Sequence, residues 1–463
     1  MARLVIVSNR VATPADRGAR AGGLAVAMRD ALEHYDGVWF GWSGETADQS
    51  SETPRISHSG NVTYATVDLN TEDFEAYYVD YANGTLWPLL HYRLGLVEYK
   101  KSAFEGYLKV NAYLARILKP LLRPDDLIWV HDYHVIPLGV ELRKLGVNNR
   151  IGFFFHTPFP PPQLWETLPR HAVLIQALSA YDLVGFQTDE SLHAFHGCVA
   201  DIIHGTVAND GTVEIGERRL RAGTFPIGID TANFAISAKR AANSLDTHRL
   251  VESLAGRLLL IGVDRLDYSK GIPNRFEAID ALLTEHPDHR GQFHYLQITP
   301  HSRAEVAQYR ALRRELEAAV GAINGKFAEF DWTPLRYINK SFSRQTLAGF
   351  YRVSRLGLVT PLRDGMNLVA KEYVASQDPQ DPGILVLSRF AGAAHELKAA
   401  LQVNPFDVDD LAAAIHRGLV MPRDERRVRW NHMMGVLNRN TVTTWRESFL
   451  AALRETEHTH VAA

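Results

Sequence analysis

The chain has 463 residues, of which 46% are hydrophobic and 22% are charged, a composition that excludes a mainly disordered or coiled-coil protein. Fifty lysines and arginines against 53 acidic residues leave a net charge of −3, so no global field attracts nucleic acid or an acidic membrane. No apolar run reaches the about eighteen residues of a transmembrane helix. The first apolar segment, Leu4–Ser8, is too short for a signal peptide.

Short apolar segments alternate along the chain with longer segments of helical period. The apolar segments predict strands at Leu4–Ser8, Val38–Trp42, Val62–Val67, Leu127–His131, Ile151–Phe155, Leu183–Phe186, Leu258–Val263, Phe293–Ile298, Leu356–Val359 and Ile384–Ser388. The segments of helical period predict helices at Phe104–Leu122, Pro273–Glu285, Ala304–Ala322 and Leu368–Ser376. This alternation is typical of parallel sheets covered by helices, so we expect an α/β fold with two doubly wound domains in series.

A polar stretch, Ile229–Ser253, separates the two series of strands, and we place the domain boundary near Gly228. Just before the stretch, in Thr224–Asp230, we expect proline and glycine to interrupt regular structure. Near the C-terminus, Trp445, Phe449 and Leu453 recur at a spacing of four residues. A helix with such a stripe requires an apolar surface to cover.

The single cysteine, Cys198, cannot form an intramolecular disulfide. It lies in an amphipathic helical run, where a free cysteine usually packs like a small apolar residue. We therefore predict a buried core position and a cytoplasmic protein, since disulfide-free chains are typical of the reducing cytosol.

Ligands of doubly wound folds bind just beyond the carboxyl ends of strands. Arg10 follows the first strand, and the loop continues to Gly22-Gly23-Leu24 before a helix. An arginine and a glycine-rich helix start can hold a phosphate, although a surface arginine is the simpler interpretation. Neither a Gly-x-Gly-x-x-Gly nor a Walker A motif is present there, which disfavours a nicotinamide dehydrogenase and a P-loop nucleotidase.

Two further strand ends in the first half carry polar side chains. Asp132 follows the strand Leu127–His131 among aromatic residues, a setting that suits sugar hydroxyls as well as a structural turn. A metal site with His131 and His134 is disfavoured, since three ligands so close in sequence rarely converge on one ion. His156 ends the next apolar strand before a proline-rich turn, and either a ligand contact or a core histidine fits that position.

The second half places charged residues after its strands in the same way. Arg265 and Lys270 follow the strand Leu258–Val263 and could neutralise a pyrophosphate, with a solvated charge pair as the alternative. Thr299–Arg303 follows the next strand and supplies another arginine.

The stretch Thr360–Tyr373 is the most informative one. Asp364 and Gly365 predict a tight turn, after which a helix begins near Asn367. The N–H groups of Leu368 and Val369 could then bind a phosphate, and Glu372 one turn on could bind ribose hydroxyls or simply face solvent.

In order and combination these motifs resemble the trehalose-6-phosphate synthase family, the retaining glycosyltransferases of family 20, over nearly the whole chain. The resemblance rests on Val7–Arg10, Gly22–Leu24, Trp39–Trp42, Leu86–Pro88, His91–Arg93, Trp129–His134, His156–Pro160, Gly185–Thr188, Arg265–Gly271, Ile323–Lys326 and Pro361–Glu372. It implies a GT-B fold, in which two Rossmann-like domains, residues 1–228 for the acceptor and 229–439 for the donor, face each other across a cleft. A helix at about 440–457 would cross back to complete the N-terminal domain.

The activity implied is glucosyl transfer, with retention, from a nucleoside-diphosphate glucose, by family default UDP-glucose, to O1 of glucose 6-phosphate. The family works without a metal or other cofactor and without a carboxylate nucleophile. Its substrates are small molecules, no nucleic acid or membrane partner is implied, and a homodimer or homotetramer is compatible with it.

Residue roles follow from the same resemblance. The acceptor residues would be Arg10, Tyr78, Trp87, Asp132 and Arg303, with Arg10 and Arg303 at the phosphate. The donor residues would be Gly23, Arg265, Lys270, Arg344, Asp364, Leu368, Val369 and Glu372. The catalytic set would be Asp132, His156, Arg265, Lys270 and Asp364.

Three alternatives stay open at this point. A glucosylglycerol-phosphate synthase would use glycerol 3-phosphate as the acceptor, against which Tyr78, Trp87 and Arg303 argue. A pseudo-glycosyltransferase that joins cyclitols through nitrogen would depart from the pattern at Asp132, His156 and Asp364, all of which are present. A non-catalytic sugar-phosphate sensor would be expected to lose the donor residues that this chain retains.

Overall fold

The computed structural model describes residues 3–13, 28–29, 31–32, 35–300 and 307–456. The chain divides into two compact units. The first unit comprises Met1–Pro226 together with Trp445–Ala463, and the second comprises Ile227–Thr444. The chain therefore passes between the units twice, after Pro226 and after Thr444.

The first unit is built on a sheet that contains, in its described part, ten strands in the order β3-β4-β2-β1-β5-β6-β7-β10-β9-β8. Their bounds are β1 Leu4–Arg10, β2 Gly37–Ala47, β3 Arg55–Ser59, β4 Val62–Asn70, β5 Leu127–His131, β6 Ile151–Phe154, β7 Leu183–Phe186, β8 Thr206–Val207, β9 Thr212–Ile215 and β10 Arg218–Thr224. The central strands pair in parallel, whereas β3, β8 and β9 join antiparallel at the two edges. The buried central strands are nearly continuous apolar runs, as expected for strands covered on both faces.

Helices of the first unit connect these strands. Their bounds are α1 Thr71–Phe74, a π-helix Glu75–Leu86, α2 Trp87–Leu90, α3 Lys101–Leu118, α4 Leu138–Lys144, α5 Pro162–Trp165, α6 His171–Ala177 and α7 Asp189–Asp201, with 3₁₀ turns at Leu94–Leu96, Lys119–Leu121, Tyr133–Val135 and Leu178–Ala180. A π-helix is rare and frequently marks a functional segment.

Cys198 lies on α7 and is fully buried, so the core position predicted from the sequence is confirmed. Burial raises the pKa of its thiol well above the usual range, and the thiolate is the reactive form. We expect Cys198 to be inert to Ellman's reagent in the native protein and to react stoichiometrically after unfolding in guanidinium. Rapid reaction in the native state would contradict this.

The second unit contains, among its described residues, a six-stranded parallel sheet in the order β13-β12-β11-β14-β15-β16. The strands are β11 Leu258–Val263, β12 Phe293–Ile298, β13 Leu335–Ile338, β14 Leu356–Val359, β15 Ile384–Ser388 and β16 Leu401–Val403. The helices are α8 Thr231–Ala241, α9 Leu245–Ser253, α10 Ile272–Glu285, α11 Ala307–Phe327, α12 Arg344–Val353, α13 Leu368–Ser376, α14 Val408–Val420 and α15 Arg423–Arg439, with 3₁₀ turns at Tyr268–Lys270, Pro287–His289 and Gly392–His395. The last helix, α16 Val442–Arg454, belongs to the first unit from Trp445 onward.

The segment with Pro226 and Gly228, between β10 and α8, contains no regular helix or strand, as the sequence predicted, and the polar stretch at 229–253 that follows it is mostly helical. The side chain of Asp230 accepts a hydrogen bond from the Asn233 N–H at the start of α8, and Ser244 caps α9 in the same way. Such caps satisfy helix N–H groups that have no partner within the helix. Phe234 and its neighbours on α8 then bury an apolar face.

The last helix, α16, covers the sheet of the first unit with the stripe seen in the sequence. Phe449 stacks on Trp129 with ring centroids 4.7 Å apart, and Trp445 lies 4.8 Å from the same ring. Gly152 permits this approach, because a Cβ there would stand 2.8 Å from the Phe449 ring. No helix in the described part of the chain is long and apolar enough to span a bilayer.

Candidate active site

The strand order of the first unit reverses at β1, which lies between β2 and β5. Ser8, two residues before the end of β1, is in register with His131 at the end of β5. Ligands in open parallel sheets bind beyond the carboxyl ends of strands at such a switch point. Arg10 is the last residue of β1 and Asp132 directly follows β5, so both lie where a ligand of this unit is expected.

Asp132 is held in an unusual backbone conformation at this point. Its φ of 74° is strained for a residue with a side chain, and such strain concentrates at functional sites. The Asp132 N–H donates to the carbonyl of Phe154, and its Oδ1 accepts from the N–H of His156 at 3.2 Å. Burial raises the pKa of Asp132 to about 6, with the backbone donors opposing the shift.

His156 lies beyond β6 and contacts a second histidine. Its Nε2 is 3.0 Å from Nδ1 of His131, and the amide of Gln187 lies 3.4 Å from its Nδ1. Burial lowers the pKa of His156 to about 3, and burial, together with the neighbouring His156, lowers the pKa of His131 well below its usual value. Both rings are therefore neutral near pH 7 and share one proton, which fixes the orientation of His156.

An aromatic group accompanies these residues in the first unit. The ring of Tyr78, on the π-helix, stacks on His134 at a centroid distance of 5.9 Å and lies 5.4 Å from Trp42. Trp87 is buried against the rings of His91 and Tyr133. Aromatic faces of this kind suit contact with a sugar ring.

In the second unit the strand order reverses at β11, between β12 and β14. Lys270 lies at the end of the loop after β11, and Asp364 lies in the loop after β14. Their side chains form an ion pair with Nζ 2.5 Å from Oδ2, largely shielded from solvent. Arg265, on the same loop as Lys270, keeps 49% of its side chain exposed. The switch point thus presents two cations, as a diphosphate site requires.

Helix α13 begins next to this ion pair. Asn367, at a φ of 77°, caps the helix by accepting from the Ala370 N–H, and its Nδ2 donates to Asp364. The N–H groups of Leu368 and Val369, in the first turn, have no acceptor within the helix. Such first-turn N–H groups can contact a phosphate oxygen.

Glu372 lies on the second turn of α13 and is buried. Burial raises its pKa, and the guanidinium of Arg344, which donates from Nε at 2.9 Å, opposes that shift. Arg344 itself begins α12 and stacks over the ring of Phe234 at 4.6 Å. The pair therefore offers one buried carboxylate oriented by a half-exposed arginine.

Two residues predicted for the site, Gly23 and Arg303, lie outside the described residues. The remaining ones form two groups, one in each unit. Those of the first unit are Arg10, Tyr78, Trp87, Asp132 and His156, and those of the second are Arg265, Lys270, Arg344, Asp364, Leu368, Val369 and Glu372. Within the described part of the chain, no three His, Cys, Asp or Glu side chains are placed to hold a metal ion.

The sequence did not reveal several residues that support these groups. Gln187 and His131 contact His156, and Asn367 links Asp364 to α13. Asn367 could have been recognised as a helix cap, since asparagine directly before an apolar helical run is a common start signal. Gln187 lies 31 residues from His156, and the sequence offers no signal for such a contact.

Comparisons with known proteins give a consistent result. The model of glycosyltransferase family 20 matches residues 3–455. The chain is 50% identical to the trehalose-6-phosphate synthase of Sinorhizobium fredii over 454 residues, 97% of this chain and 98% of that protein. It is 48% identical, with a TM-score of 0.94, to an α,α-trehalose-phosphate synthase (UDP-forming) from Burkholderia xenovorans in complex with glucose 6-phosphate, over 98% of this chain and 100% of that one.

A further solved structure, the Escherichia coli protein bound with UDP-2-fluoro glucose, is 47% identical with a TM-score of 0.93, over 98% of this chain and 99% of that one. These similarities cover 97–98% of this chain and therefore include residues of both units.

Proposed function

The chain belongs to glycosyltransferase family 20, and on that premise we propose that it is a retaining transferase that makes α,α-trehalose 6-phosphate. The donor is a nucleoside-diphosphate glucose, UDP-glucose in the first instance, and the acceptor is O1 of glucose 6-phosphate. The observation that carries the proposal is that relatives 47–48% identical over nearly the full chain hold glucose 6-phosphate and a UDP-glucose analogue.

The first unit, with residues up to 228 and the C-terminal helix, is proposed as the acceptor domain. Arg10, with Arg303, binds the phosphate of glucose 6-phosphate, since a guanidinium matches a phosphate with two parallel hydrogen bonds. Tyr78 and Trp87 contact the sugar ring. Asp132 accepts hydrogen bonds from the acceptor hydroxyls, which requires the ionised carboxylate.

The second unit is proposed as the donor domain, about residues 229–439. Arg265, Lys270 and the first-turn N–H groups of α13 bind the diphosphate, and Arg344 and Glu372 bind the nucleoside. Gly23 is proposed as a further donor-binding residue. Because side-chain cations supply the positive charge, turnover should be unchanged by a chelator such as EDTA.

The proposed reaction proceeds on one face of the donor sugar. The acceptor O1 attacks C1 of the glucosyl unit while the bond from C1 to the β-phosphate oxygen breaks, and that oxygen takes the O1 proton. His156 and Asp364 hold the glucosyl unit. Retaining glycosidases instead use two carboxylates and a covalent intermediate. The protein supplies positioning and stabilisation of the leaving diphosphate.

The test is turnover with UDP-, GDP- and ADP-glucose, each offered with glucose 6-phosphate or glycerol 3-phosphate, followed by NMR of the product. We expect nucleotide release only with glucose 6-phosphate and an α,α-1,1 linkage. Turnover with glycerol 3-phosphate would instead identify a glucosylglycerol-phosphate synthase. Donor binding without turnover would point to a sensor or a pseudo-glycosyltransferase.

Acceptor binding should depend on the protonation of Asp132. Its pKa is raised to about 6, so the carboxylate gains a proton as the pH falls through that value. Below it, kcat/KM for glucose 6-phosphate should fall about tenfold per pH unit. The sugar phosphate titrates in the same range, so the Asp132→Asn variant, measured in parallel, supplies the baseline. Equal pH profiles for both proteins would contradict the assignment.

We also propose that the enzyme works in the cytoplasm as a homodimer or homotetramer. Both substrates are phosphorylated metabolites, and the one cysteine forms no internal disulfide. Light scattering coupled to size exclusion would test the assembly, and a mass of 51.9 kDa would contradict it.

A further inference from the structure

A guanidinium is completely buried beneath the loops that carry Lys270 and Asp364. Arg275, on α10, has an exposed fraction of 0%. Its Nε donates to Oγ1 of Thr360 at 2.7 Å, and its Nη2 donates to the carbonyl of Lys270 at 2.7 Å. The nitrogens of one side chain thus connect the loop after β11 with the loop after β14.

The third nitrogen of the same guanidinium contacts the end of β11 and one further strand, β12. Nη1 of Arg275 lies 2.5 Å from Oδ2 of Asp264, directly after β11, and 3.1 Å from Oε1 of Gln297 on β12. Tyr295 donates to the same Gln297 oxygen. Gly262 is required beside this network, because a Cβ there would collide with Gln297 and Tyr295.

The four acceptors around Arg275 require a planar group with several N–H donors, which a guanidinium provides. The four acceptors lie on three adjacent strand ends, and an ammonium at the end of a flexible stem cannot reach them in one plane. The two loops also meet directly, since the N–H of Leu362 donates to the carbonyl of Ser269 at 2.7 Å. The position of Lys270 relative to Asp364 therefore depends on groups held by Arg275.

We propose that Arg275 is a positioning residue for the donor diphosphate, which it does not itself touch. It fixes the Lys270 backbone and the strand end at Thr360, so that the Lys270 ammonium and the loop of Asp364 are preorganised before the donor binds. This inference rests on the proposed function, because it presupposes that these loops bind a nucleoside diphosphate. Displacement of a binding group by even 1 Å can cost about 10²-fold in rate.

A purely structural role for Arg275 predicts a loss of stability and nothing else, and a second buried arginine provides the matched control. Arg426, in the same unit, is 3% exposed and donates to Asp381 and to the carbonyls of Pro382 and Met421. None of these partners belongs to the loops of Lys270 and Asp364. Arg275→Met and Arg426→Met should both lower the melting temperature, but only the first should weaken nucleotide binding.

The experiment measures UDP binding by calorimetry and steady-state kinetics on the full-length protein. For Arg275→Met we expect the Kd for UDP and the KM for the donor to rise at least about tenfold, the loss of about 1.4 kcal/mol, with KM for glucose 6-phosphate unchanged within about twofold. Arg275→Lys should not restore binding, although it keeps the charge opposite Asp264. Thr360→Val is the second variant, with a smaller shift in the same direction, should Arg275→Met not fold.

The outcomes separate the two proposals. If the wild-type protein binds no nucleoside diphosphate, the proposed function fails and this inference fails with it. If the wild type binds UDP and the folded Arg275 and Thr360 variants bind it equally well, only the inference is overturned. A weakening in Arg426→Met of the same size would also overturn it, since general destabilisation would then explain the effect.

Discussion

Replacement of Lys270 by alanine should lower kcat about 10²–10³-fold, the usual effect of removing one preorganised donor from a developing negative charge. The Lys270 ammonium is mostly shielded from solvent and lies 2.5 Å from Asp364, in a setting where its charge is little screened by water. In the proposed reaction this charge stabilises the departing diphosphate. Single-turnover kinetics with saturating donor and acceptor would measure the chemical step.

Lys326 provides the control for this experiment. Its Nζ also lies 2.5 Å from an aspartate, Asp280, but both side chains are partly exposed, on helices α11 and α10. Lys326→Ala should leave kcat unchanged within about twofold, since exposed ion pairs contribute only about 0–1 kcal/mol. If Lys270→Ala retained wild-type kcat and bound UDP normally, the leaving-group role of Lys270 would be wrong.

The α/β architecture could be predicted from the sequence because the central strands are buried on both faces. Leu258–Val263, Phe293–Ile298 and Leu356–Val359 have the predicted bounds, since each is a mostly apolar run bounded by polar residues. The GT-B fold class is confirmed by the structural relatives that cover the whole chain. The prediction of a GT-B fold depended on the family motifs, because the alternation of strands and helices alone did not distinguish GT-B from other doubly wound folds.

The edge strands could not be predicted in the same way. Leu335–Ile338 is only partly buried, and Thr206–Val207 is exposed, so neither has the apolar run of a central strand. Their pairing is determined by the neighbouring strand rather than by their own sequence, as the context dependence of β-propensity implies.

The residues that support the site, such as Arg275, could not be predicted from the sequence either. Arg275 and Thr360 are 85 residues apart, and an arginine on an amphipathic helix is ordinarily expected to face solvent. Only the folded sheet shows that Arg275 points inward. By contrast, Arg265, Lys270 and Glu372 belong to contiguous motifs, so the sequence alone could propose them as candidate site residues.

Lys371 forms a buried ion pair that the sequence did not indicate, and we expect loss of this pair to have a large effect on stability. It directly precedes Glu372 on α13, is 0% exposed, and its Nζ lies 2.5 Å from Oε2 of Glu396 and 2.7 Å from the carbonyl of Ile227. Glu396 in turn accepts from Asn440 at 2.6 Å. One buried ion pair thus ties α13 to both segments at which the chain passes between the units.

Glu396→Gln should lower the free energy of unfolding by about 3–5 kcal/mol, because it leaves a buried ammonium without its counter-charge. Lys371→Met should cost less, because replacing the charge by an apolar side chain leaves no unpaired ammonium. The control is Glu317→Gln, which breaks the exposed pair with Arg313 and should change stability by less than about 0.5 kcal/mol. Thermal and guanidinium unfolding would measure all three.

The pH dependence distinguishes an unpaired ammonium from a packing defect. Burial lowers the pKa of Lys371 in the folded protein, against the opposing effect of Glu396, and removal of Glu396 must lower it further. Between the folded and unfolded pKa values the unfolded chain binds more protons, so the free energy of unfolding rises with pH. The loss in free energy of unfolding caused by Glu396→Gln, relative to the wild type, should therefore become smaller from about pH 7 towards about pH 10, near the unperturbed lysine pKa. A deficit independent of pH would mean that Lys371 carries no charge that Glu396 neutralises.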